Sequence, residues 1–444
     1  MAHQTHRDPR PSAVTVPQPR ATGEANGEAA GSPAGSGASG GTGGFRRAAP
    51  AGGRRAGGRR AGRTGRSAGF ARAGGTGRAL WTVVAVHAVT TAVHLVILAL
   101  MNGPDGPALK DRLLAWDASL YLSIATDGYP DTFSYDGEGR LTGNTLAFFP
   151  LYPLLTRLLH QNTGLDPGSA AVAVSHLALA AALFAVHRLL TGVYGERVAV
   201  IGVMLLAGAQ PMALTFLMAY SEALFLALAA GTLLAAHRHA WLTAGSLALL
   251  AGLTRPAAFA VTVALVVAVV LEIRRVGRPT WRPATAVALA CAGTPAYLLW
   301  VGNRLGRLDG WFVVQEAGWG TRWDNGAAFF RFLGDTLRSG DGWVPLSTAV
   351  LLVAAVCGTV LAWRRGAWPP LLVYGTTVLV MTLGQSNYYH SKLRLVAPAL
   401  VFLLPLAVGL ARARRRTAVV VLALSLLFGS WYGAHMLTVW RYAI

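Results

Sequence analysis

Cysteine and lysine are nearly missing from this chain of 444 residues. There are two cysteines, Cys291 and Cys357, and two lysines, Lys110 and Lys392. Both cysteines fall inside apolar segments, so no disulfide framework is expected. Charge is scarce as well, at 13% of residues, with only 19 acidic side chains. Set beside 53% hydrophobic residues and a mean hydropathy of +0.45, that scarcity excludes an ordinary soluble domain and places the chain among multi-span membrane proteins. Also missing are any His/Cys/carboxylate spacing of a zinc site and any glycine loop of the GxxxxGK type. No metal or other cofactor is therefore expected.

What is present is a net charge of +20, carried almost wholly by arginine. Its distribution argues against a nucleic-acid partner. Residues 1–80 hold 13 Arg against Asp8, Glu24 and Glu28, an excess of +10 that is half of the total. Much of the rest sits in short loops between apolar segments, as membrane topology requires. Residues 1–79 are rich in Gly, Ala, Arg and Pro and nearly free of large apolar side chains. Such a segment cannot bury enough surface to offset its ordering entropy, so a disordered cytoplasmic tail is expected, too long and too polar for a secretory signal. Its Arg pairs would touch anionic membrane lipids or merely hold the first helix's orientation.

The region 80–444 reads as one transmembrane domain. Apolar segments lie at about 81–101, 168–190, 198–217, 219–236, 240–254, 256–272, 284–302, 343–363, 368–384, 395–411 and 417–437. Residues 198–236 and 240–272, each taken as a single helix, would be roughly 58 Å and 50 Å long, too long for a core of about 30 Å. Each is therefore divided. Pro256 supplies a break in the second, whereas Pro211 lies several residues early for the first. The count is about eleven transmembrane helices in an all-α polytopic membrane protein.

With the N-terminus inside, five short inner loops carry most of the loop arginines, and the short outer loops carry only Arg255, Lys392 and Arg394. Two long outer segments remain, 102–167 and 303–342. The second holds Arg304, Arg307, Arg322, Arg331 and Arg338 and dissents from the bias, which longer loops obey less strictly.

Most of the unusual polar residues then collect on one face. In the first outer segment, Leu109, Leu113, Trp116, Leu120 and Ile124 form one stripe at about 100° per residue, with Asp117 roughly 60° from its centre. A carboxylate on that apolar edge would be partly desolvated, which raises its pKa and suits a general base; the position equally suits an Asp that caps or pairs locally. Tyr220, Ser221 and Glu222 begin the outer end of the fourth span, and Glu222 could simply cap that helix. Arg255, His390, Lys392 and Arg394 complete the set. A charge at membrane depth costs roughly 2.5–3.5 kcal/mol on insertion scales, so each is a functional candidate. Together the cations suit a lipid-linked phosphate; singly, Arg255 could snorkel and the other three could form an ordinary interfacial cluster. His87, His94, His176 and His187 read as interhelical packing or hydrogen-bonding residues.

The stretches Trp116-Asp117-Ala118, Ile124-Ala125, Gly128-Tyr129, Ala147-Phe148-Phe149-Pro150 and Tyr220-Ser221-Glu222-Ala223-Leu224-Phe225 resemble the motifs of the PIG-V-type mannosyltransferases. These are integral-membrane type-C glycosyltransferases that move mannose from a polyprenyl (dolichyl) phosphate carrier in the glycolipid-anchor pathway. The resemblance runs from about residue 110 to 260, and beyond it only the region from His390 to Arg394 and Pro398 is similar. The chain departs from the pattern between Pro130 and Ala147, where 131–146 form a longer connection than the family leads one to expect. The resemblance implies a type-C glycosyltransferase fold and Asp117 as the catalytic acidic residue.

These observations lead to an expected activity. A multi-pass cell-membrane enzyme would transfer mannose, with inversion, from polyprenyl-phosphate-mannose to a glycolipid or other acceptor on the outer face. Asp117 would take the acceptor proton, and Arg255, His390, Lys392 and Arg394 would hold the donor phosphate. Trp116, Tyr220, Ser221 and Glu222 would orient the acceptor or the helix carrying it. Two rivals come from other classes: a transporter or flippase of lipid-linked sugars, and a noncatalytic subunit of a transferase complex. The first predicts repeat-related broken helices with polar residues at mid-membrane, and no such repeat is found. Inner loops of about a dozen residues are too short for a domain that would hold a nucleotide sugar.

Overall fold

The computed structural model describes residues 67–340 and 342–442. Residues 1–66, most of the expected tail, lie outside the described residues. The fold is all-α, and every apolar segment predicted above carries helix. Helix α1 (Ser67–Asn102) leads into two short helices, α2 (Leu109–Leu113) and α3 (Ala118–Thr126), and then α4 (Leu151–Thr163). The helices α5 (Pro167–Tyr194), α6 (Glu196–Met204), α7 (Glu222–His237), α8 (Trp241–Gly252), α9 (Ala258–Val276) and α10 (Trp281–Leu305) follow. After them come α11 (Gly310–Trp319), α12 (Ala327–Ser339), α13 (Trp343–Arg365), α14 (Pro369–Leu383), α15 (Lys392–Val396), α16 (Leu404–Arg412) and α17 (Arg415–Thr438).

Among the described residues, five helices are long and apolar enough to cross a membrane: Thr76–Asn102 within α1, α5, α10, α13 and α17. The pair Tyr389–Ala399 and Val401–Arg412 is apolar enough when taken together but turns by 74° at its break, the form of a broken span or of a re-entrant loop. The other five expected spans are shorter, broken or charged at one end. Helix α7 has 16 residues, α8 has 12 and α14 has 15. Helix α9 carries Glu272, Arg274 and Arg275 in its last turns. The segment 198–217 departs most from expectation: α6 passes into a π-turn at Leu205–Ala209 and the chain is not α-helical again until Glu222. Pro211 therefore does lie in the break. Buried Gln210 satisfies carbonyls on both sides, donating to Leu206 O at 3.2 Å and to Ala397 O at 3.1 Å in the bent pair.

Small residues set the helix spacing. Gly245 meets Ala286, and Gly252 meets Gly293, so α8 and α10 pack backbone to backbone. The core centres on α5 and α7, where Ala182, Leu183, Ala229 and Leu233 are fully or almost fully buried. The histidines behave as packing residues: His94 contacts Ala207 O at 3.0 Å, and His87 and His176 meet edge to face.

The two long segments 102–167 and 303–342 pack on each other. Trp311 and Gln315 of α11 both donate to Ala147 O, at 3.3 Å and 3.0 Å. Arg304 donates to Pro130 O at 2.7 Å and Tyr129 O at 3.1 Å. The longer connection at 131–146 forms a small hairpin, β1 (Ser134–Tyr135) with β2 (Leu141–Thr142). Behind it Gly143 lies against Gly318 so closely that an added Cβ would overlap the facing Cα. A second ladder pairs β3 (Arg322–Trp323) with β4 (Gln385–Ser386), tying segment 303–342 to the turn after α14.

Candidate active site

The stripe predicted from Leu109 to Ile124 is not one helix. Helix α2 ends at Leu113, α3 begins at Ala118, and Trp116 between them has φ +61°. A β-carbon is strained there, and surrounding bonds must hold it. They come from residues 219–220. Ala219 N donates to Leu113 O at 3.0 Å. The Tyr220 hydroxyl donates to Ala115 O and accepts from Asp117 N, both at 3.2 Å. Tyr220 thus bridges the break and fixes the backbone of Asp117. Trp116 itself is 38% exposed and does not line the cavity described below.

Asp117 precedes α3 but does not cap it. Its Oδ2 accepts from Arg394 NH1 at 2.9 Å, and Oδ1 takes no protein hydrogen bond among the described residues. The Arg394 Nε lies 3.5 Å from Glu222 Oε1, and Arg255 NH1 approaches that same oxygen at 2.7 Å. Arg394 also stacks over the Tyr220 ring at 5.0 Å. Glu222 opens α7 and is 2% exposed, so it is a bridge between two guanidiniums and not a solvent-facing cap. Two carboxylates and two guanidiniums balance in charge. Removing one member of such a buried set typically costs about 3–5 kcal/mol.

This network lies on the wall of a cavity of about 410 Å³, a volume suited to a small ligand. Segment 303–342 supplies Gln315, Trp319, Arg322 and Trp323, and the turn after α14 supplies Gln385, Asn387 and Tyr388. Tyr121 lies beneath, its hydroxyl 2.7 Å from Ser221 Oγ. Burial pushes the Tyr121 phenol above its ordinary range, so it stays protonated. Ser221 is wholly buried and supports Tyr121 without reaching the cavity.

Two of the cations expected at the phosphate are placed elsewhere. Lys392 is 1% exposed, and its ammonium donates to Thr382 O at 2.9 Å, Gln385 O at 2.8 Å and Asn387 Oδ1 at 2.7 Å. Its three protons are spent on the protein. His390 is packed among the rings of Tyr388, Tyr389, Trp440 and Tyr442. Neither lines the cavity. Sequence reasoning gave no role to Gln315, Trp319, Trp323 or Asn387 on this wall and met Arg322 only in the charge dissent of segment 303–342.

No protein family and no curated protein matches the sequence. Among solved structures the chain is similar to ArnT from Cupriavidus metallidurans bound to undecaprenyl phosphate. The TM-score is 0.48 and the identity 19%, over 77% of this chain and 63% of that one. It is also similar to the archaeal oligosaccharyltransferase AglB from Archaeoglobus fulgidus in complex with an inhibitory peptide and a dolichol-phosphate. There the TM-score is 0.46 and the identity 12%, over 80% of this chain and 56% of that one. The chain spans about three fifths of the length of these solved structures.

Proposed function

We propose that the chain is a multi-pass membrane glycosyltransferase that moves a hexose, mannose by its motif resemblance to the PIG-V type, from a polyprenyl-phosphate carrier to a glycolipid or other acceptor at the outer face. The observation that carries this reading is the placement of Asp117 and two guanidiniums on one cavity wall, with one carboxylate oxygen uncommitted. In the reaction the acceptor oxygen attacks the anomeric carbon and its proton passes to Asp117 Oδ1. The bond from that carbon to the phosphate oxygen breaks, and polyprenyl phosphate leaves with the bonding pair, inverting the configuration. Arg255 and Arg394 face the developing phosphate charge. Glu222 holds both guanidiniums in place, and Tyr220 holds the backbone of Asp117.

The domain division is a cytoplasmic tail at 1–79, whose last residues from Ser67 already belong to α1, and a transferase domain at 80–444, with the cell membrane as its location. Reporter fusions after Gly277 and Arg365 are expected to read cytoplasm, and fusions after Gly340 exterior.

The decisive assay supplies purified protein with labelled polyprenyl-phosphate-mannose or with GDP-mannose, free of carrier synthase. Transfer is expected from the lipid donor only. Transfer from GDP-mannose without carrier lipid would overturn the reading.

A further inference from the structure

Lys392 and Asn387 form a unit whose purpose the charged network does not explain. A buried ammonium normally takes a carboxylate partner. Lys392 hydrogen-bonds three neutral oxygens, all from the seam between α14 and α15, while Asp324 acts on it through charge without a hydrogen bond: Thr382 O is in the last turn of α14, Gln385 O belongs to β4, and Asn387 Oδ1 lies on the turn. The first two bonds fix the backbone of the cavity rim. The third fixes a side chain. An amide group has one acceptor end and one donor end, and with Oδ1 committed to an ammonium the donor end Nδ2 has a set direction. Asn387 lines the cavity, and its Nδ2 has no partner among the described residues. The same cavity is lined by Gln385, Tyr388, Trp319 and Trp323. Amide donors beside flat aromatic faces are the side-chain types that bind a pyranose, through its hydroxyl oxygens and its apolar C–H face.

We infer that Asn387 is a sugar-hydroxyl-binding residue of this cavity and that Lys392 is its positioning residue, setting which end of the amide meets the ligand. The inference rests on the transferase reading above and deepens it. Lys392 thereby moves from phosphate binding to sugar recognition. The hydroxyl belongs either to the hexose of the donor or to a sugar of the acceptor, and the experiment separates the two.

The test uses the purified full chain, with quenching of tryptophan fluorescence by mannosyl phosphate as a binding readout and separate KM values for lipid donor and acceptor. Asn387→Leu is expected to raise one of the two KM values about 3- to 10-fold, the scale of one neutral hydrogen bond, with kcat nearly unchanged, and to weaken mannosyl phosphate binding similarly where the donor KM is the one that moves. The KM that moves identifies the source of the hydroxyl. Lys392→Met is expected to reproduce that shift in the wild-type background and to add nothing in the Asn387→Leu background, because it acts through the amide. Loss of the two rim bonds lowers thermal stability in both backgrounds in either case; a merely structural lysine would leave binding and both KM values alone. If Lys392→Met fails to fold, Asn387→Asp keeps an acceptor for Lys392 and puts a carboxylate oxygen in place of the cavity-facing donor; it is expected to change the same KM, read with methyl mannoside as a neutral binding probe that the added charge does not repel, and no change in either would overturn the inference. Mannosyl phosphate binding and KM values unchanged in Asn387→Leu would overturn the inference alone. No binding and no transfer by the wild type would overturn it together with the transferase reading.

Discussion

Helix α15 buries two cations two residues apart, and the fold treats them in opposite ways. Arg394 is met by two carboxylates, Asp117 and Glu222, and lies on the cavity wall. Lys392 is met by two carbonyls and an amide and lies behind it. A guanidinium has five donors in a planar fork, so Arg394 can serve Asp117 and still present an edge to an incoming anion. An ammonium has three, and Lys392 has spent them. The partner set of a buried cation, more than its charge, decides whether it is free to bind a phosphate.

The comparison breaks most visibly at Asp117. Asp117→Asn keeps the shape and removes the basicity, so turnover is expected to fall about 10²–10⁴-fold with insertion into the membrane retained. Wild-type turnover in a well-expressed variant would make the pair with Arg394 purely structural.

Arg394→Lys gives α15 a second ammonium and no fork. The loss of a charge-assisted bond worth about 1.5–3 kcal/mol is expected to lower kcat/KM for the lipid donor about 10- to 100-fold. An unchanged value would show that the fork is not used.

Gly143→Ala tests the scaffold and leaves both cations untouched. Forcing a methyl group into a closed contact costs about 1–3 kcal/mol, seen as a lower thermal midpoint in detergent; an unaltered midpoint would show that segments 102–167 and 303–342 are not held together there.

The smallest change is expected from His390→Phe, which keeps a ring in an aromatic cluster. Stability should shift by less than about 1.5 kcal/mol and the donor KM not at all; a tenfold rise in that KM would return His390 to the phosphate.

Sequence legibility followed the range of the interactions involved. The apolar segments were readable because hydropathy is local, and the candidate character of Asp117, Glu222, Arg255 and Arg394 because charge at membrane depth is costly. Their pairing was not readable, since Asp117 and Arg394 come together only through tertiary packing. The break at Trp116 was hidden for a different reason. A tryptophan at positive φ carries no glycine or proline mark, and it is held by Tyr220, far along the chain. Lys392 was misread because its residue type is that of a phosphate ligand, while its role is set by three oxygens that only the folded turn supplies.

The meeting of Gly143 with Gly318 has a mechanical consequence. Neither position has volume to give up, so a side chain at one cannot be offset by a smaller one at the other. The chain can admit it only by shifting one of the two long segments bodily. The next residue after Gly318 is Trp319, and Arg322 follows on β3, both on the cavity wall. A single methyl group at Gly143 would therefore act as a wedge, driven at once against the Gly318 backbone and the Trp319 ring that faces the chamber.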